Sequence, residues 1–365
     1  MKNKFIIPLM CLCFIPGIMN CTTDVKKEKP ATIGVYYFDG WAGKNRQTDN
    51  PDEPWAKNAP THLTRRFVEE FSGREPIWGW RDDSQEIMER QIDLAADNGV
   101  DFFLFCWYWA DDGGEININT IKNDSKHTSL DLYMKAKNKH RVKFSLLIAN
   151  HSGFDIKGPD NWGKATEFWM QYFKDPQYVT VDGNPLVVLF GSDGIDNEGL
   201  AKMQEVSKKE GLKNGLAIAG CGGNARKKSG FTHSTHYNVV PGYADGSEEH
   251  KFQELIDATK AQWIGTEQQP YIPLLTAGWD KRPWENRDRP RGEGWYYPDS
   301  SPELFKNFLT DAIKWMDDNP TKTTKERVVL IYAWNELGEG GYLVPTKDDP
   351  DAAKLKKIKE VSEGK

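Results

Sequence analysis

Two glutamates three residues apart, Glu336 and Glu339, carry the sharpest chemical signal in the chain. They lie in the segment Tyr332-Ala333-Trp334-Asn335-Glu336-Leu337-Gly338-Glu339-Gly340-Gly341. Glycines on both sides of Glu339 let the backbone turn tightly and approach a ligand. Two carboxyl groups in one partly desolvated cleft titrate apart, so that one holds a proton while the other is ionised. Cleavage of a glycosidic bond needs that division: one acid to protonate the leaving oxygen, one carboxylate on the other side of the bond. The spacing alone fits two solvated loop glutamates equally well, because paired acids are common on surfaces.

Other candidates are weaker. Asn150 and His151 follow an apolar run and could hydrogen-bond sugar hydroxyls. Tyr36, Trp41, Trp107, Trp279 and Asp280, with Trp334 and Asn335 beside Glu336, are candidate sugar contacts by position. His233 and His236 have an H-x-x-H spacing, but no helical pattern surrounds them and no third ligand follows, so a metal site is not expected. Asp111, Asp112 and Glu115 lack calcium-loop spacing and read as a solvated loop. Cys106 and Cys221 read as buried free thiols rather than a disulfide. No cofactor is implied.

These residues need a scaffold. Eight apolar runs alternate with helical patterns, at residues 33–38, 100–107, 143–150, 185–190, 216–219, 237–240, 271–276 and 328–334. Most are continuous Val, Ile, Leu and Phe, as in parallel strands buried on both faces. Helical stretches are expected at 84–98, 129–140, 164–174, 198–209, 248–263, 302–317 and 351–361, with little helix in the fifth crossover at 225–231. Eight such units point to a (β/α)8 TIM barrel, a single domain spanning about residues 31–365. An open doubly wound sheet fits less well, because no Gly-rich phosphate turn follows the first run. Helix-to-strand connections are short, whereas the strand-to-helix connections 39–83, 108–128 and 277–301 are long. In a barrel those long loops share the C-terminal rim, where active sites sit, and structureless loops of such length are usually functional. Eight of the 14 Trp residues follow them: Trp41, Trp55, Trp78, Trp80, Trp109, Trp279, Trp284 and Trp295, with Tyr296 and Tyr297, all fall in these loops. A wall of sugar-stacking rings is the expectation.

Charged residues make up 28% and the net charge is -6, which argues against a nucleic-acid partner. Lys2 and Lys4 precede an apolar stretch, residues 5–19, too short to span a bilayer comfortably. Cys21 follows Asn20, then a polar tether at 22–30. An apolar stretch ending at a cysteine resembles a bacterial lipoprotein signal, with residues 1–21 as the leader and Cys21 lipidated. The expectation is a monomer exported to the cell envelope, periplasmic or at the surface, touching membrane only through that lipid.

The glutamate segment resembles the catalytic motif of glycoside hydrolase family 99, the endo-α-mannosidases and endo-α-mannanases, and of the related WbsX-like proteins. Those families end a late strand with a Trp/Tyr-Asn-Glu-Trp-x-Glu-Gly pattern. The similarity continues in Gly34-Val35-Tyr36-Tyr37 with Trp41, in residues 91–105 with Trp107-Tyr108-Trp109, in Ala149-Asn150-His151, and in Leu275-Thr276-Ala277-Gly278-Trp279-Asp280. The resemblance implies a glycoside hydrolase that acts on an α-linked, mannose-containing oligosaccharide or polysaccharide with retention. Glu336 would serve as base on the sugar's 2-hydroxyl, giving a 1,2-anhydro sugar, and Glu339 as acid and then base. The residues themselves fit a direct nucleophilic attack by a glutamate equally well. Leu337 stands where the family usually has Trp, and Val344 precedes Pro345 where an acidic residue is common. A glycan-binding protein with a degraded site and a glycosyltransferase of the same fold are the alternatives.

Overall fold

The computed structural model describes residues 29–243, 247–285 and 295–365. The leader, Cys21 and most of the tether lie outside the described residues. Eight parallel strands form the barrel: β1 (Thr32–Tyr37), β2 (Phe102–Trp107), β3 (Lys143–Ile148), β4 (Asn184–Leu189), β5 (Ala217–Cys221), β6 (His233–Thr235), β7 (Leu274–Thr276) and β8 (Val328–Tyr332). The ladder runs β6-β5-β4-β3-β2-β1-β8-β7. Representative registers are Val35 opposite Phe103, Leu104 opposite Ser145, and Ile33 opposite Val329. The ring closes between β6 and β7 through a parallel bridge, Ser234 to Tyr271. The strands are apolar because both faces are covered: every residue of β2 and β8 is buried.

Seven helices wrap the barrel: α1 (Gln85–Asp97), α2 (Thr128–Lys135), α3 (Pro159–Phe173), α4 (Asn197–Lys209), α5 (Phe252–Lys260), α6 (Pro302–Asp318) and α7 (Ala353–Ser362). Ser84 caps α1 by accepting the Ile87 N–H at 3.2 Å, and Gly99, at φ +84°, ends the element where a side chain would be strained. Met88, Ile92 and Ala95 form its buried stripe. The fifth crossover holds only a 3-10 turn, Ala225–Lys227.

Three elements depart from the sequence expectation. The sixth strand is His233–Thr235 and not residues 237–240. Its polar side chains are satisfied sideways, Thr235 Oγ1 on Ile272 O at 2.9 Å and His233 Nε2 on Asp182 Oδ2 at 3.0 Å, so it carries no apolar run. Helix α3 starts five residues early because Pro159 occupies its first position, where a missing N–H costs nothing. Helix α2 stops at Lys135, because Ala136 is extended, and a separate 3-10 turn covers Lys139–Arg141. Cys106 and Cys221 are buried free thiols. No helix among the described residues is long and apolar enough to cross a membrane.

Candidate active site

After β8 the chain folds into a hairpin in which Asn335 pairs with Tyr342 and Glu336 with Gly341. Glycines make it possible. Gly340 adopts φ +78°, and a Cβ on Gly338 would lie 2.1 Å from the Trp284 ring. Buried hydrogen bonds lock its base. Asn335 accepts the Phe38 N–H at 2.7 Å and donates to Phe38 O at 2.9 Å. Trp334 Nε1 donates to Gln91 Oε1 at 2.7 Å, and Trp41 Nε1 to Asn335 O at 2.8 Å. The hairpin is therefore tied to β1, to α1 and to the long first loop.

The hairpin presents Glu336 and Glu339 to one cleft of about 470 Å³ at the C-terminal rim. Phe38, Tyr108, Phe154, Phe190, Tyr237 and Trp284 supply its rings, and Asp39, His62, Lys126 and His151 its other ionisable groups. Glu336 is 2% exposed. Its Oε2 accepts the Tyr237 hydroxyl at 3.1 Å, while its Oε1 has no partner. Glu339 is half-buried and accepts the Tyr332 hydroxyl at 2.5 Å. Burial, reinforced by the charge of Glu339, pushes the Glu336 carboxyl well above its ordinary range, and the Tyr237 bond opposes this only in part. Burial also raises Glu339, against the Tyr332 hydroxyl and the positive charge of Lys281, both of which favour its ionised form. Burial thus favours the protonated form of both carboxyls, and the two titrations are linked.

Asp39, just past β1, is a third cleft acid. It is 2% exposed, Oδ1 accepts the Ser129 N–H at 3.1 Å, and Oδ2 has no partner. Burial raises its pKa well above the ordinary value, and the bond from Ser129 opposes this.

The expected sugar contacts divide. His151 lines the cleft, its ring 5.0 Å from Phe154 and 5.4 Å from Phe190. The others serve as supports. Tyr36 is buried and donates to His236 O at 2.9 Å. Trp41 packs on Phe67 and Trp80, with ring centroids 5.6 and 6.1 Å away. Trp107 is buried against Trp169 at 5.0 Å. Asn150 clasps Gly191, donating to its O at 2.7 Å and accepting its N–H at 3.2 Å. Asp280 is bound by Arg74 and by Arg282 at 2.8 Å. Trp334 and Asn335 are consumed in the base of the hairpin, and Trp279 lines a neighbouring cavity instead. The expected wall of tryptophans is thus a loop core. Of the rings expected there, only Trp284 lines the cleft. Sequence reasoning missed Asp39, Cys106, Tyr108, Phe190 and Tyr237. All lie at or within two residues of the end of a barrel strand, and that position was the available signal. His233 and His236 diverge, the first toward Asp182 and the second toward Tyr271 at 2.9 Å.

The family model described as Glycosyltransferase WbsX matches residues 80–356, most of the chain. The protein belongs to the WbsX family. No curated protein matches it. Among solved structures, the GH99 endo-alpha-mannosidase of Bacteroides thetaiotaomicron, in complex with bis-tris-propane, is similar at TM-score 0.58 and 16% identity over 92% of this chain and 96% of that one. A second structure of that enzyme gives TM-score 0.58 and 16% identity, covering 92% of this chain and 97% of that one. A protein described as glycoside hydrolase-like is similar at TM-score 0.59 and 13% identity, covering 92% and 94% of the two chains. At these identities the likeness establishes the shared (β/α)8 barrel fold. The WbsX hairpin and cleft then rest on the geometry above.

Proposed function

We propose that this WbsX-family protein is a retaining glycoside hydrolase that cleaves an α-linked, mannose-containing glycan with Glu336 and Glu339. The observation that carries the reading is the shared cleft: two carboxyls on one rigid hairpin, both with raised proton affinity, face the same ring-lined hollow. The fold shared with an endo-alpha-mannosidase supports mannose and the α-linkage.

In the first step Glu336 takes the proton of the sugar's 2-hydroxyl as that oxygen bonds to the anomeric carbon. The anomeric bond to the leaving oxygen breaks, and Glu339 gives that oxygen its proton. In the second, Glu339 takes a proton from water as water's oxygen bonds to the anomeric carbon, the bond from O2 breaks, and Glu336 returns its proton to O2. Two inversions give retention. The roles require Glu336 ionised and Glu339 protonated. A sugar 2-hydroxyl that donates to Glu336 Oε1 favours the Glu336 carboxylate. Direct attack by Glu336 needs the same ionisation.

The test is a Glu339→Gln variant assayed for released sugars on a panel of purified polysaccharides. Loss of at least about a thousandfold in rate is expected for removal of an acid–base group; wild-type turnover refutes the assignment. The family's description favours a second reading, a transferase in which a sugar hydroxyl replaces water. Release of sugar from a nucleotide-sugar donor would support that reading. We further propose export and lipidation at Cys21, which a Cys21→Ser variant released from the membrane fraction would demonstrate.

A further inference from the structure

Across the 335–342 hairpin from the cleft lies a second cavity of about 440 Å³. The turn divides the two: Glu339 lines the cleft and Gly340 lines the cavity. Trp279, Tyr297, Tyr342, Asp348, Asp349 and Lys354 are part of its wall.

Its polar groups are unevenly satisfied. Lys354 Nζ donates to Ala277 O at 2.6 Å and to Ser300 Oγ at 2.7 Å. An ammonium has three N–H groups; the third has no hydrogen-bond acceptor among the described residues, and the Phe252 ring lies 5.9 Å from the nitrogen. Burial pushes its pKa down to about 8, against the charge of Asp349, leaving it charged at neutral pH. The Trp279 indole N–H is buried, 8% of the residue is exposed, and no acceptor faces it. Two carboxylates line the same cavity. Asp348 is exposed at the rim, and Asp349 accepts the Ala353 N–H at 2.9 Å with one oxygen. The Arg74 guanidinium is already spent on Asp280.

This arrangement selects a ligand class. An anion would meet Asp348 and Asp349. A divalent cation would meet Lys354. A neutral polyol offers an acceptor to the Lys354 ammonium and hydroxyl donors to the carboxylates, and its apolar faces suit the half-buried Tyr342 ring. We propose that the cavity is a second saccharide-binding site, which holds a neutral stretch of the same glycan whose neighbouring stretch the cleft takes. The identity of that glycan rests on the glycosidase reading; the cavity's capacity to bind sugar does not. Trp279 also packs 6.2 Å from Tyr332, whose hydroxyl holds Glu339, so the two sites share a wall.

The experiment is affinity electrophoresis of the full chain carrying Glu339→Gln, through gels cast with a panel of purified neutral polysaccharides, mannans, glucans and galactans. Lys354→Met and Asp348→Ala are tested in that background. At least one polymer retards the parent, and removing the ammonium weakens retention about tenfold, the worth of one hydrogen bond to a charged group. Asp348→Ala weakens it severalfold. Should Lys354→Met fail to fold by circular dichroism, the exposed Asp348 variant decides. No retardation of the parent, or retention unchanged in the folded variants, overturns the proposal. Retention that the variants weaken, with no hydrolysis by the chain with Glu339 intact, supports this site and refutes the glycosidase reading instead.

Discussion

Replacing Tyr332 with Phe removes one hydroxyl and leaves the ring that fills the space beside Gly341. The lost contact is the 2.5 Å hydrogen bond to Glu339 Oε2. That bond favours the carboxylate over the acid, so its removal raises the Glu339 pKa further. A hydrogen bond to a charged acceptor is worth ~1.5–3 kcal/mol, and here it favours the carboxylate form. The direction of the functional change then depends on the role. If Glu339 is the acid, it must be protonated, and the basic limb of kcat/KM against pH moves up while the acidic limb does not rise. If Glu339 is instead the group that must be ionised, the acidic limb moves up and the profile narrows. The assay is the pH–rate profile of parent and variant on a cleaved polysaccharide. Carbon-13 NMR of glutamate δ-carbons in the free protein reads the same shift without substrate. A rise in the acidic limb refutes the assignment of roles, and two unmoved limbs refute the claim that this hydroxyl tunes Glu339 at all.

Three further outcomes are expected. Asp82, buried beneath the hairpin, has its carboxyl pushed from 3.8 to about 7, mainly by burial, which corresponds to ~4 kcal/mol. The folded chain keeps a proton that the unfolded chain releases above pH ~4, so stability falls as pH rises from ~4 to ~7; Asp82→Asn should flatten that slope in thermal melts, and an unchanged slope counts against the pKa. Asn335→Ala removes both side-chain bonds to Phe38 and should lower unfolding free energy by ~2–5 kcal/mol in denaturant titrations, whereas a loss under ~1 kcal/mol would show that the hairpin base is held otherwise. Gly338→Ala places a Cβ 2.1 Å from the Trp284 ring, which must leave its place on the cleft wall; KM should rise, and an unchanged KM would mean that Trp284 does not contact substrate.

Much of the barrel was legible because strands covered on both faces must be apolar along their length, as Phe102–Trp107 and Val328–Tyr332 are. His233–Thr235 escaped because a strand can instead satisfy polar side chains sideways against its neighbours. The glutamate pair stood out through the motif around it, since its spacing alone fits solvated loop glutamates equally well. The sugar-contact set was not, because residue type does not reveal burial. Trp41, Phe67 and Trp80 occur in a loop for the same reason they would occur in a core: a connection this long must bury something of its own. Phe38, Tyr108, Phe190 and Tyr237 come one at a time from different strand ends, and Phe154 and Trp284 from loops, so no local pattern announces them.

The division between support and ligand surface appears in which polar atoms are satisfied. Phe38 N, Phe38 O, the Gln91 amide and the Trp334 indole are all paired, which makes the hairpin base a closed network with one geometry. Asp39 Oδ2 and Glu336 Oε1 are buried in the cleft wall without partners, and Asp82 Oδ1 is the same one layer back. Neither cleft oxygen takes part in the network that holds the hairpin base. On the proposed reading, a hydroxyl-rich ligand would supply Glu336 Oε1 with a hydrogen-bond donor, so the oxygen that plays no part in support is the one whose ionisation the reaction needs.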